Sequence, residues 1–366
     1  MVTDSFFDKQ TGLTAAKIKI FKEYIQGYLP KLLTTFEECI IADLFCGAGK
    51  NGEEDGSPLV LIDRSNYILT SPHLKKAKIN IVFNDQDNAN IENLNNEISN
   101  VEINDNINIE QITNCKFDSL LPELLEELKD NRLPKFFFLD PYTYSNIKME
   151  NLKEIMNLQH TEVLLFIPIF HSYRFASDTT MPEYHKTRIF VEKFTTKGVT
   201  DYSGIDDFME SVKQKILADL ELDYVRPVLL DDGGKKNSLF LLTKHQAGIL
   251  LMNKIAIKMT DDGSTVKIKA QNQKSLFGVE ESTKFDLFTQ RIIKLLENQK
   301  NMSNGEIIEY TIREGYTPKY VYKIMVELFD KSKIKVYDSD GKEVISKKQW
   351  NIAEKITKEI YFKWED

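Results

Sequence analysis

Three short stretches carry residue types that could do chemistry together. In Asp43-Leu44-Phe45-Cys46-Gly47-Ala48-Gly49 a carboxylate precedes two glycines. Glycines let backbone N–H groups come close to a ligand, and a carboxylate beside them offers an acceptor to a cationic group. In Asn84-Asp85-Gln86-Asp87 the carboxylate of Asp85 could grip a pair of neighbouring hydroxyls. In Asp140-Pro141-Tyr142 a carboxylate and a proline carbonyl could accept hydrogen bonds from an amino group while the tyrosine ring stacks on a planar molecule. Passing a small group between two bound molecules needs alignment and a local proton acceptor more than a catalytic triad.

Each stretch follows an apolar run that reads as a buried strand: Cys39–Phe45, residues 79–83 (INIVF) and Lys135–Leu139. The last is apolar throughout, as expected in the middle of a parallel sheet buried on both faces. Between them the periodicity predicts helices over 14–34, with Thr14 as cap, over 57–71, with Ser57 as cap and Pro58 in the first position, and over 88–99. A strand near 107–113, a helix over 119–128 and a strand over 163–170 continue the alternation, followed by a helical insertion at 175–222. Strands near 224–230 and 238–243, joined by Asp-Asp-Gly-Gly, and a helix over 245–259 close the pattern. The expectation is an α/β, Rossmann-like sheet with helices on both faces over residues 1–260.

Residues 261–283 read as a linker with a short strand at 265–269. The segment 284–366 has helices at Leu287–Gln299 and from Ser303 and Thr317-Pro318, then strands at 333–337 and 343–346, the pattern of a winged-helix domain. In a nucleic-acid reader Lys319, Tyr320 and Lys323 would face the groove, with Lys331, Lys333 and Lys335 near the backbone. The slight basic excess of the segment leaves nucleic-acid and protein contact equally open.

A strand, a glycine turn and a helix start expose free N–H groups and suit a nucleotide cofactor. The pattern is read as lacking the third glycine of the dinucleotide fingerprint G-x-G-x-x-G, which position 52 would have to serve beside Lys50 and Asn51, and a dinucleotide is set aside. An acid at 43, inside the strand end, points instead to S-adenosylmethionine (SAM). On that reading Asp43 and the loop of Cys46, Gly47 and Gly49 hold the methionine part and Asp85 the ribose, with Phe45 a further cofactor-binding residue of the loop. Asp63, at the end of VLID, is the rival to Asp85. Phe117 and Asp118 either receive adenine or serve as core residue and helix cap. His171 is either a base or a structural histidine. Lys17 is either a solvated lysine or closes over the cofactor's carboxylate.

The runs FFDKQTGLTAAKIKIFKEYIQGYLPKLL, ADLFCGAG and GSPLV, with LDPY at 139–142 and the C-terminal region, resemble the three-Cys-motif partner proteins. The resemblance implies a SAM-methyltransferase-like domain with a C-terminal winged helix, and a three-Cys-motif protein as partner. It also places a Thr and a Lys near positions 14 and 17. Cys46 and Ala48 depart from the family's D-x-F-A-G-P-G, and Thr143 from its D-P-aromatic-Gly.

The net charge of −8 argues against coating nucleic acid by bulk electrostatics. Three cysteines without CxxC spacing predict neither a zinc site nor a disulfide framework, and with no apolar run of membrane length and a polar start they imply the cytoplasm. The expected activity is SAM-dependent methyl transfer with a partner protein, onto an amino group of nucleic acid (DNA or RNA) or a modified base, through Asp140, Pro141 and Tyr142. The alternative is a non-catalytic regulator or adaptor with the same fold.

Overall fold

The computed structural model describes residues 12–143, 146–175, 177, 184–260, 265–268 and 284–365. Its residues cluster in two compact units, one of residues 1–251 with 266–270, the other of residues 252–265 with 271–366.

The first unit is a mixed α/β layer structure. Cys39, Ile40, Ile41 and Ala42 are all buried in β1 (Glu38–Asp43), which pairs in parallel with β2 (Lys78–Asn84) on one side and β4 (Lys135–Leu139) on the other. β3 (Ile107–Thr113) extends the sheet beyond β2, and β5 (Thr161–Ile167) beyond β4, both in parallel. β6 (Tyr224–Asp232) and β7 (Lys235–Thr243) form a hairpin whose turn glycines, Gly233 and Gly234, both take positive φ. β7 inserts antiparallel beside β5, and with a short β8 (Thr265–Lys267) the order is β3-β2-β1-β4-β5-β7-β6-β8. The order reverses direction between β1 and β4, so a crevice opens at the carboxyl ends of those two strands.

Side-chain alternation in β4 explains why helices sit on both faces. Phe138 stacks on Phe21 of α1 (Gly12–Phe36), with ring centroids 4.5 Å apart, and Phe136 meets Tyr24 and Tyr28. Phe137 and Leu139 point the other way, into a core shared with α4 (Phe117–Leu128) and α5 (Met149–Asn157). α2 (Ser57–Leu69) and α3 (Asn88–Ser99) complete the connections of the first three strands.

Several expected boundaries move. Thr14 is the third residue of α1 and not its cap, and α2 is capped by Gly56, with Ser57 inside its first turn. Lys116 stands at the N-cap position of α4, so Asp118 is a first-turn residue. β5 ends at Ile167, and α6 (Ile169–Arg174) takes the residues expected to prolong it. Within 175–222, α7 (His185–Phe194) and α8 (Ile205–Asp219) feed Phe190, Val191, Phe208, Val212 and Ile216 into the sheet's own core. α9 (Gln246–Met259) follows β7. Most of the expected linker, 261–264 and 269–283, lies outside the described residues.

The second unit holds α10 (Lys284–Gln299), α11 (Asn304–Arg313) and α12 (Pro318–Asp330) around a core that includes Phe288, Met325, Trp350 and Phe362. Ser303 and Glu306 form a reciprocal capping box at α11. The hairpin expected at 343–346 is reduced to one bridge, Tyr337 to Glu343. The strand that pairs fully with β10 (Ile334–Asp338) is β11 (Ile360–Trp364), which also pairs with β9 (Asn301–Ser303). Its alternation Ile360, Phe362, Trp364 places three side chains in the core, whereas 343–346 contributes Val344 alone and leaves Ile345 71% exposed. Tyr320 is half-buried against Phe285 and Tyr316 and does not face outward with the exposed Lys319 and Lys323. No helix among the described residues is long and apolar enough to cross a membrane.

Candidate active site

The crevice at the sheet's switch point is a cleft of about 290 Å³. Its floor is the loop after β1: Phe45, Cys46, Gly47, Ala48 and Gly49. One wall is the start of α1, with Thr14, Lys17 and Ile18. The facing wall is Asp140, Pro141 and Tyr142 after β4, with Phe166 of β5 beside them, and Gly56 and Ser57 at the start of α2 close one end. Of the residues singled out above, Lys17, Phe45, Cys46, Gly47, Gly49, Asp140, Pro141 and Tyr142 meet here.

The glycines hold the loop's shape. Gly47 and Gly49 have φ of +66° and +84°, which L side chains rarely adopt. Gly56 donates its N–H to the Gly49 carbonyl at 2.7 Å, and a Cβ at position 56 would stand 2.8 Å from that oxygen. Gly52 does occupy the third position of the G-x-G-x-x-G spacing. It is exposed, however, between Lys50–Asn51 and Glu54–Asp55, which pair as a two-residue ribbon, and α2 begins only at Ser57. The close approach of helix to loop that the fingerprint's last glycine permits is made here by Gly56.

Asp43 lies behind the loop, fully buried, and neither carboxylate oxygen has a hydrogen-bond partner among the described residues. Burial, reinforced by the nearby charges of Asp140 and Asp85, pushes its carboxyl up to about 7, although the Ser57 side chain and the Phe45 amide pull the other way without closing well-formed bonds. Asp85 is also buried, and its carboxylate is already occupied. Oδ2 accepts from the Gly47 N–H at 3.0 Å and the Tyr142 hydroxyl at 3.4 Å; Oδ1 accepts from the Asp87 N–H at 2.9 Å and Asn90 Nδ2 at 3.1 Å. These four donors match the capacity of a carboxylate. Asp85 therefore staples the glycine loop to the end of β2, and it reaches the cleft only through Gly47 and Tyr142. Asp63 is helical, in α2, and bonded to Arg64.

Tyr142 is 60% exposed, yet its hydroxyl is tied to Asp85 and Asn90. Desolvation of that end, then the charge of Asp85, pushes the phenol up to about 12, so it stays protonated as a donor. The Cys46 thiol is pushed up by burial and by Asp43 and Asp85, which removes it as a thiolate nucleophile. Asp118 stands outside the cleft, on the surface of α4 and paired with Lys148 at 2.8 Å, while Phe117 is a core residue stacked under Phe45. His171 is an exposed residue of α6 packed on Phe175 and does not line the cleft. Tyr144 lies outside the described residues.

Two features escaped the sequence. Lys17 is buried, and its ammonium donates to both oxygens of Asp140, at 2.7 and 2.5 Å, while sitting 4.1 Å from the Phe166 ring centroid. The partners are 123 residues apart, so no local pattern could announce them. Asn84 is the second. Its Nδ2 donates to the Leu44 and Cys115 carbonyls and its Oδ1 accepts from the Cys115 N–H and Thr113 hydroxyl, which ties three strand ends together.

No family model matches the chain, and no curated protein matches it. Similar solved structures include the bifunctional kinase-methyltransferase WbdD, at 11% identity and a TM-score of 0.35 over 63% of this chain and 39% of that one. An O-methyltransferase from Bacillus cereus in complex with SAH has 14% identity and a TM-score of 0.34 over 66% of this chain and 93% of that one. Human methyltransferase-like protein 13 in complex with SAH has 12% identity and a TM-score of 0.33 over 73% of this chain and 97% of that one. The match thus spans about two fifths of the length of WbdD. At these TM-scores the likenesses fix neither the substrate nor the activity of this chain.

Proposed function

We propose that the protein is a SAM-dependent methyltransferase that works with a partner protein and acts on amino groups of nucleic acid or of a modified base. The observation that carries this reading is the cleft itself. A glycine loop after β1 and an Asp-Pro-Tyr segment after β4 face each other at the switch point of a sheet that ends in an antiparallel β6–β7 hairpin beside β5, the usual finish of a SAM-methyltransferase sheet.

The charge of the site suits this cofactor. Asp43, Asp85 and Asp140 cluster near the loop, Lys17 is the buried cation among them, and Lys50 at the rim is held by Glu97 at 2.8 Å. A pyrophosphate would bring two more negative charges to these carboxylates, whereas SAM brings an ammonium and a sulfonium against one carboxylate. The orphaned oxygens of Asp43 are the acceptors such a cationic ligand would satisfy, directly or through a water. Gly47 and Gly49 would let the methionine chain lie on the backbone, and Phe45 offers a ring to the nucleoside.

When bound, SAM supplies a methyl group on a sulfonium. The chain's own part is to align the acceptor and take up its proton. The Asp140 carboxylate and the Pro141 carbonyl would accept hydrogen bonds from an amine, and the exposed ring of Tyr142 would stack on a planar base. In the second unit, three helices and a three-stranded antiparallel sheet support a winged-helix reading, with Lys319, Lys323, Lys331 and Lys333 exposed for nucleic acid or a partner, including the three-Cys-motif protein.

Calorimetry with SAM tests the reading first: saturable binding is expected, and none at millimolar ligand removes it. Labelled SAM with total nucleic acid, with and without partner, then looks for transfer. The competing adaptor reading draws on the occupied state of Asp140 and Tyr142, and it is favoured if SAM binds but no label moves in either condition.

A further inference from the structure

Among the described residues, the one buried cation of the cleft is spent on the residue that would receive the acceptor. Both oxygens of Asp140 lie within 2.7 Å of the same Lys17 ammonium, with 11% and 18% of the two side chains exposed. An amino group can donate to Asp140 only into lone pairs that this ammonium leaves. The carboxylate of SAM, for its part, enters a site crowded with Asp43, Asp85 and Asp140, where Lys17 is the buried positive partner it can find. The two demands on Lys17 compete.

We propose that Lys17 is a switch that orders binding: it holds Asp140 in the ion pair until the cofactor's carboxylate draws the ammonium away, so the acceptor is received only after the cofactor. This inference rests on the SAM reading of the cleft. Lys17 is here a positioning residue, acting through Asp140, and the chain's geometry gives it a short move. It already sits on the cleft wall, one α1 turn from Thr14 and beside the Phe166 ring, which keeps a cation attracted in either position.

The competition makes an unusual demand. Removing an acidic residue from the acceptor side should tighten cofactor binding, since SAM no longer has to take Lys17 from Asp140. Titration calorimetry of wild type, Asp140→Asn and Lys17→Gln with SAM and with decarboxylated SAM, which keeps the ammonium and sulfonium, reads this directly. The expected result is a Kd for SAM at least fivefold lower in Asp140→Asn and at least tenfold higher in Lys17→Gln, with decarboxylated SAM shifted less than twofold by Lys17→Gln. An unchanged or weaker SAM affinity in Asp140→Asn, with both variants folded by circular dichroism, overturns the switch. Equal losses of both ligands in Lys17→Gln overturn it as well, because they mark a merely structural lysine. Failure of wild type to bind SAM at all overturns the cofactor reading instead, and is told apart because no variant then gives heat.

Discussion

Asp43 combines full burial with two oxygens that have no hydrogen-bond partner among the described residues. Its carboxyl is raised from an ordinary 3.8 to about 7 in the folded chain, so between those values the folded state holds a proton that the unfolded state has lost. Stability from this group is therefore complete below about pH 4 and is lost as pH rises through 7, by about 4 kcal/mol at most. Asp43→Asn removes the titration. Its stability relative to wild type should improve by a few kcal/mol between pH 5 and pH 8 in urea unfolding, and parallel pH curves would show that Asp43 has found donors. The thiols make a simpler case. Cys115 is exposed, whereas Cys39 and Cys46 are buried with their thiols pushed up. One fast and two slow equivalents are expected with a thiol-specific chromogenic reagent at neutral pH.

At the scale of elements, the glycine loop and α1 carry the site. Gly49 has positive φ, and a Cβ there would meet Leu94 Cδ1 at 3.0 Å, whereas a Cβ on Gly47 meets nothing within 4 Å. Gly49→Ala should therefore cost about 1–2 kcal/mol and weaken SAM binding tenfold or more, with Gly47→Ala paying only the left-handed backbone term of about 1 kcal/mol. Matched thermal melts and calorimetry compare them. α1 is fixed to the sheet by the Tyr24 hydroxyl, which donates to Glu162 Oε2 at 2.6 Å, while Thr243 donates to Oε1 at the same distance. Both donors serve a fully buried carboxylate, so Tyr24→Phe should destabilise by roughly 1.5–3 kcal/mol in chemical denaturation. A loss under half a kcal/mol would mean that water replaces the phenol.

The whole molecule holds two cores, and both tryptophans, Trp350 and Trp364, belong to the C-terminal one. Tryptophan emission therefore follows that unit, while far-UV circular dichroism follows both. SAM should raise the midpoint of the dichroism melt by several degrees and leave the emission melt in place; a common shift would show that the two units unfold together. The sequence by itself determined the central strands of the first unit, because apolar runs such as Ile79–Phe83 and Phe136–Leu139 are long enough to demand burial on both faces. It also determined the hairpin at Gly233-Gly234 and the capped starts of α11 and α12, since those signals are local. Only the tertiary structure decided which side chains meet. The pairing of Lys17 with Asp140, the occupied state of Asp85 and the choice of Ile360–Trp364 over 343–346 as the partner of β10 join residues far apart in the chain. Contacts of that kind depend on how the layers stack, and periodicity records only which face of one element is buried.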